Sequence, residues 1–136
     1  MDKINKTEEE WQKELDEQTF SVTRKGGTEA PFTGKYVDEK KKGMYVCSNC
    51  GLELFSSDTK FNSGTGWPSF DQAIIREHVK LIEDTSHGMS RVEVRCARCD
   101  AHLGHVFNDG PKETTGERFC INSCSLDLKE EKHEGN

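Results

Sequence analysis

Two kinds of cysteine carry the chemistry of this chain. Four of the six form C-x-x-C pairs, Cys47 with Cys50 in YVCSNCGLELF and Cys96 with Cys99 in VRCARCDAHLGHV. Each pair lies between strand-like runs, so a tight turn can aim both sulfurs at one ion. Zinc takes four tetrahedral ligands at about 2.3 Å from sulfur, and a closed all-cysteine shell leaves no position for a catalytic water. The pairs therefore predict one structural Zn2+ per chain held by Cys47, Cys50, Cys96 and Cys99, against the alternatives of four free thiols or a redox disulfide pair. A thioredoxin-type redox motif would need a βαβ context, which this sequence lacks. Arg95 and Arg98, beside the second pair, would offset part of the negative charge that four thiolates leave on one dication.

The other two cysteines, Cys120 and Cys124, stand in ERFCINSCSLDL. Strict alternation places Arg118, Cys120, Asn122 and Cys124 on one face of a strand and Phe119, Ile121 and Ser123 on the other. A cation two residues from Cys120 favours the nucleophilic thiolate, provided the sulfur is not sealed in an apolar pocket; an inert core cysteine is the alternative. HLGHVFNDGP adds His102, His105 and Asp109. Histidine delivers a proton near neutral pH, and a carboxylate can orient it. Three residues apart, the two histidines would face opposite ways on an ideal strand, and Gly104 offers a bulge that lets both reach one site. NSGTGWPSF presents Trp67 on a glycine-rich loop able to bend around a ligand, ordinary core packing being the alternative.

These groups need a scaffold to hold them. A chain of 136 residues suits one domain, read here as residues 7–128 between a mobile N-terminus (1–6) and a mobile charged tail (129–136). Thr7-Glu8-Glu9-Glu10 has capping-box spacing and predicts a short helix over about residues 8–17, docking through Trp11 and Leu15. GGTEAPFTG, residues 26–34, carries too many breakers for regular structure and should wrap over the body as an extended loop. Beyond it, GMYVC, LELF, AIIREHVKLIE, SRVEVRC, HLGHVF and RFCINSCSLDL predict a mainly β body, with VKLIED and SRVEVRC joined as a hairpin through TSHG.

Composition narrows the partners. Apolar and charged residues are 32% each, which implies a lean core. A net charge of −6 without a basic stripe argues against nucleic acid. No apolar run approaches the roughly 20 residues that span a bilayer, and MDKINKTEEE lacks the apolar stretch of a secretion signal, so a soluble, cytoplasmic protein with no membrane partner is expected.

In this order, RKGGTEAPFTGKY, the two C-x-x-C pairs, SGTGWPSF, HLGHVFNDGP and RFCINS resemble the B-type methionine sulfoxide reductases, over about Trp11 to Leu128. The resemblance implies a β-tent of two antiparallel sheets, a structural zinc remote from the catalytic pocket, and reduction of the R epimer of methionine sulfoxide in oxidised proteins. It also implies Cys120 as nucleophile and a substrate pocket of Trp67, His102, His105, Asp109, Arg118 and Asn122. Thiolate attack on the sulfoxide sulfur requires a proton at oxygen, for which His105, aided by His102 and Asp109, is the candidate. It would leave Cys120 as a sulfenic acid. Many family members carry a resolving cysteine where this chain has Thr65. Cys124 would lie some 13 Å away along a regular strand, roughly twice the reach of a disulfide, so it is expected to be a packing residue. Thioredoxin or another dithiol would then reset Cys120 directly, and a monomer is expected. A zinc-dependent binding module accounts for the quartet alone, and a zinc hydrolase using His102 and His105 lacks a third ligand.

Overall fold

The computed structural model describes residues 2–131. Its N-terminal arm forms two helices instead of the single one expected over 8–17: α1, Glu8–Glu14, and α2, Glu17–Lys25. The capping box forms at Thr7, whose side chain accepts from the Glu10 N–H while Glu10 accepts from the Thr7 N–H. Leu15 leaves α1 in an extended conformation, and the Asp16 carboxylate then caps α2 by accepting from the Thr19 N–H at 2.8 Å. Helix α2 stops at Gly26, whose φ of +74° is left-handed and suits glycine. Trp11, Phe20 and Val22 bury the inner faces of the two helices.

Among the described residues, nine strands make two antiparallel sheets, as expected of the mainly β reading. The small sheet has the order β2-β1-β9, with β1 Gly43–Cys47, β2 Glu53–Ser56 and β9 Leu126–Glu130. The large one has the order β3-β4-β8-β7-β6-β5. Its strands are β3 Lys60–Phe61, β4 Ser69–Phe70, β5 Val79–Asp84, β6 Arg91–Cys96, β7 His102–Phe107 and β8 Arg118–Ile121. β5 and β6 are the expected hairpin, closed by a tight turn at Ser86–Gly88. Aromatic rings join the sheets: Tyr45 and Phe55 of the small sheet meet Phe70 of the large one at 5.2 and 4.5 Å, and Phe55 meets Phe119 at 5.6 Å. Because side chains alternate along β8, burying Phe119 and Ile121 in this core turns Cys120 to the opposite face.

Three expectations change. RFCINSCSLDL is not one strand: β8 ends at Ile121, a single 3-10 turn occupies Ser123–Ser125, and β9 then joins the other sheet. Lys129 and Glu130, assigned to the charged tail on composition, pair with Met44 and Gly43, since an edge strand tolerates charged side chains; residues 132–136 of that tail lie outside the described residues. The N-terminal segment, expected to be mobile, is bonded to the body through the Ile4 N–H to the Arg98 carbonyl at 2.8 Å and the Lys3 ammonium to the Ala97 carbonyl at 2.6 Å.

Candidate active site

The two C-x-x-C segments fold as matching knuckles. In each, the first cysteine's carbonyl accepts from the N–H four residues on (Gly51 or Asp100), and its N–H donates to the carbonyl five residues on (Leu52 or Ala101). The turn needs positive φ after the second cysteine, met by Gly51 at +80° and by Asp100 at +64°, aspartate being among the side chains that tolerate this region. The four sulfurs lie within 4.8 Å of one another, with Cys47 to Cys99 and Cys50 to Cys96 both at 3.6 Å. A tetrahedron with 2.3 Å bonds has sulfurs about 3.8 Å apart, so the quartet fits zinc, and the spacing is far from a bonded S–S pair. Arg98 donates to Cys50 Sγ at 3.4 Å, as expected of a charge-offsetting cation. Arg95 does not join it; its guanidinium is committed to Glu93 at 2.9 Å.

Farther along the same sheet, Cys120 is flanked by His105 on β7 and Ser69 on β4 as direct cross-strand neighbours. Directly opposed residues share a face, which puts imidazole and thiol side by side. Glycine is required at 104 because a Cβ there would lie 2.0 Å from the Cys120 carbonyl oxygen. Together with Thr28, Trp67, Arg91, Gly104, Phe107 and Asn122, His105 and Cys120 line a cavity of about 90 Å³. That is well below the several hundred Å³ of a drug-sized pocket and suits the tip of one side chain. A larger hollow of about 380 Å³ lies beyond Glu29, against Cys124.

A bulge does bring the histidines together. Between the pairs Val94–Gly104 and Arg95–His102, β7 carries one extra residue, Leu103, and the two rings sit 5.6 Å apart. Their surroundings differ. His102 is buried and bonds Glu93 Oε2 at 2.6 Å; burial pushes its pKa down against the pull of Glu93. His105 Nε2 meets Asp84 Oδ2 at 2.8 Å and faces the cavity.

Asp109 orients neither histidine. It forks onto Arg118, at 2.9 Å to Nε and 3.2 Å to Nη2, which holds its carboxyl below the usual range. The Arg118 guanidinium lies over the Phe107 ring at 4.5 Å. Arg118 was expected to favour the Cys120 thiolate, but burial dominates and pushes the thiol above its ordinary value, with Thr65 and Arg118 pulling the other way. Thr65 faces the sulfur, its hydroxyl 4.0 Å from Cys120 Sγ.

Glu29 fixes the far wall. Its carbonyl accepts from Trp67 Nε1 at 3.0 Å, its N–H donates to Asn122 Oδ1 at 3.1 Å, and its buried carboxylate accepts from the N–H groups of Ser123 and Cys124. Asn122 is buried and also donates to the Leu103 carbonyl at 3.1 Å. Behind this wall the Cys124 thiol is pushed up to about 12 by burial and the Glu29 carboxylate, so it stays protonated and unreactive.

The SelR domain family model matches residues 15–130. The chain belongs to the SelR-domain family. Three relatives carry the name peptide methionine sulfoxide reductase MsrB. One, from Methanosarcina barkeri (strain Fusaro / DSM 804), is 57% identical over 128 residues, covering 94% of this chain and 89% of its own. One from Synechococcus sp. (strain RCC307) is 54% identical over 129 residues, covering 95% and 94%. One from Pseudomonas aeruginosa (strain UCBPP-PA14) is 55% identical over 128 residues, covering 94% and 96%.

In this SelR-domain chain, sequence reasoning missed the roles of three acidic residues that hold the site. Asp84 and Glu93 sit on strands read only as the arms of a hairpin, and Glu29 sits in a loop read for its breakers and its resemblance, with no role assigned to its side chain. Among the described residues, the cysteine quartet is the metal-capable group of side chains, while one ring nitrogen of His102 bonds Glu93 and one of His105 bonds Asp84.

Proposed function

We propose that the chain repairs oxidised proteins by reducing the R epimer of methionine sulfoxide, with Cys120 as nucleophile. The SelR-domain match and the relatives named peptide methionine sulfoxide reductase MsrB support reading it as an oxidoreductase acting on methionine sulfoxide. The observation that carries the residue-level reading is the direct cross-strand opposition of Cys120 and His105 around a cavity walled by Trp67.

In this reading the S-methyl group lies against the Trp67 indole, a sulfur–aromatic contact of about 0.3–1.5 kcal/mol. Cys120 sulfur attacks the sulfoxide sulfur while His105 delivers a proton to oxygen, turning a poor leaving group into hydroxyl. His102, Asp109, Arg118 and Asn122 complete the site: His102 beside the donor, Asp109 holding Arg118, and Asn122 tying β8 to the Glu29 wall. The oxygen passes to Cys120, leaving sulfenic acid and methionine. Sulfoxide sulfur is a stereocentre, so an aromatic wall, a donor and a nucleophile on three sides accept one hand only.

With Thr65 beside Cys120 and Cys124 unreactive, an external dithiol such as thioredoxin resets the enzyme. One thiol forms a mixed disulfide with release of water, and the second regenerates Cys120. Cys47, Cys50, Cys96 and Cys99 would hold one zinc, whose contribution is to cross-link β1, β6 and β7 rather than to activate water. Among the described residues no helix is long and apolar enough to cross a membrane. We read the working form as a cytoplasmic monomer, since one chain supplies every group named and thiols stay reduced there. The test is turnover of separated R and S methionine sulfoxide peptides with dithiothreitol: reduction of the R peptide alone is expected, and reduction of neither returns the chain to a zinc-bearing binding module.

A further inference from the structure

We propose that Asp84 is the positioning residue of the proton donor, holding His105 so that its other ring nitrogen, Nδ1, serves the sulfoxide oxygen. This rests on the reading that a sulfoxide is reduced at Cys120.

Asp84 ends β5, two strands beyond β7, and no motif around the cysteines points to it. Its Oδ2 meets His105 Nε2 at 2.8 Å, while its Oδ1 accepts both the Ser86 N–H at 3.0 Å and the Ser86 hydroxyl at 2.6 Å. Arg91, its cross-strand partner, reaches Oδ2 at 3.5 Å. Both oxygens are thereby committed and the carboxylate is fixed in direction. Hydrogen bonds from Ser86 and then His105 hold its carboxyl well below the usual range, so it is an anion that only accepts. The proton on Nε2 follows from that charge.

The consequence concerns the other nitrogen. In neutral His105 the ring proton is spent on Asp84 and Nδ1 is bare; only the imidazolium offers an Nδ1–H. The donor is therefore the cation. In the chemical step the Cys120 thiol has given its proton to solvent, the thiolate attacks methionine sulfur, the Nδ1 proton moves to the sulfoxide oxygen, and the oxygen leaves methionine sulfur for Cys120 sulfur, so that methionine sulfur is reduced and Cys120 is oxidised. Neutral His105 then regains a proton from solvent. The other groups facing His105 are Glu93 and Arg91 on β6, His102 on β7 and Cys120 on β8. Glu93 is already shared between His102 and Arg95, which leaves Asp84 as the carboxylate bonded to this ring. Asp109, the acid nearest in sequence, is taken by Arg118.

Asp84→Asn keeps the shape and removes the charge. We expect kcat for the R-sulfoxide peptide to fall by about tenfold or more with KM little changed. We also expect the alkaline limb of the kcat profile to move, because the charge beside the donor is gone; Asp84→Glu should restore part of both. In 15N imidazole spectra, wild-type His105 should carry its neutral-state proton on Nε2, and Asp84→Asn should weaken that tautomer preference. Ser86→Ala, which frees Oδ1 and unfixes the carboxylate, should move the limb by less, and serves if Asp84→Asn does not fold. A wild-type pH limb and imidazole spectrum in the folded Asp84 variant, or an unmoved limb in Ser86→Ala where only that variant folds, overturns the proposal. Absence of turnover in the wild-type protein overturns the reaction reading instead, with the imidazole spectra still reporting on the Asp84–His105 pair.

Discussion

The paired knuckles, one between β1 and β2 and one between β6 and β7, and the stretch of β7 and β8 that carries His105 and Cys120 use the same side chain for opposite ends. At the knuckles four thiols face one another and are turned inward by matching backbone turns. At Cys120 one half-buried thiol faces an imidazole, a hydroxyl and a cavity. Cys124, four residues on, is different again: a tight turn carries it behind the Glu29 wall, beside a carboxylate. What a cysteine does here is set by which groups the strand register places opposite it.

The sharpest way to separate the regions is Cys120→Ser. Turnover should fall by at least about a thousandfold, because a serine hydroxyl is a far weaker nucleophile at neutral pH. The melting temperature and zinc content should stay at wild-type values. A coincident loss of zinc would show that the two regions are not separable.

Cys96→Ser should have the reverse signature. Opening the shell forfeits part of a metal-binding free energy coupled to folding; a loss of about 3 kcal/mol would lower the melting temperature by roughly 10 °C in a chain of this size. Zinc should fall from one per chain toward none, with residual turnover tracking the folded fraction. Unchanged melting of metal-free protein would remove the structural role.

A smaller effect tests the free thiols by pH. Burial raises the Cys120 thiol above its ordinary value and holds Cys124 at about 12, so the neutral thiol persists to higher pH in both. Alkylation of Cys120 by iodoacetamide should keep rising through and beyond about pH 9, with Cys124 lagging at every pH. A Cys120 rate already at its plateau near neutrality would mean that Arg118 outweighs burial.

The smallest effect expected is that of Cys124→Ala, which should retain most thioredoxin-dependent turnover. The initial reason for this, a regular strand keeping the sulfurs apart, does not hold, because the chain bends at Ser123–Ser125. Its replacement is the Glu29 wall and the unreactive thiol.

That replacement marks where the sequence was legible. Strands such as GMYVC and HLGHVF were readable because alternation and turn residues are local, and the quartet because its ligands come in fixed pairs. The break at Leu15–Asp16 was not, since Asp16 reads as one more acid in a charged helix until its carboxylate is seen capping Thr19. The alternation in RFCINSCS hid a change of sheet, because period-two spacing carries no signal of which sheet a strand joins. Asp84 and Glu93 escaped notice because their partners are fixed by cross-strand register, a long-range property.

The central claim, that Cys120 takes the oxygen, is tested most directly by one turnover without reductant. Protein is mixed with an R-sulfoxide peptide, trapped with a sulfenic-acid reagent, and mapped by mass spectrometry. We predict one methionine formed per chain and the reagent bound at Cys120, with neither from the S peptide. A rapidly formed Cys120–Cys124 disulfide with turnover lost in Cys124→Ala, or methionine formed with the oxygen traced to another residue, would contradict it.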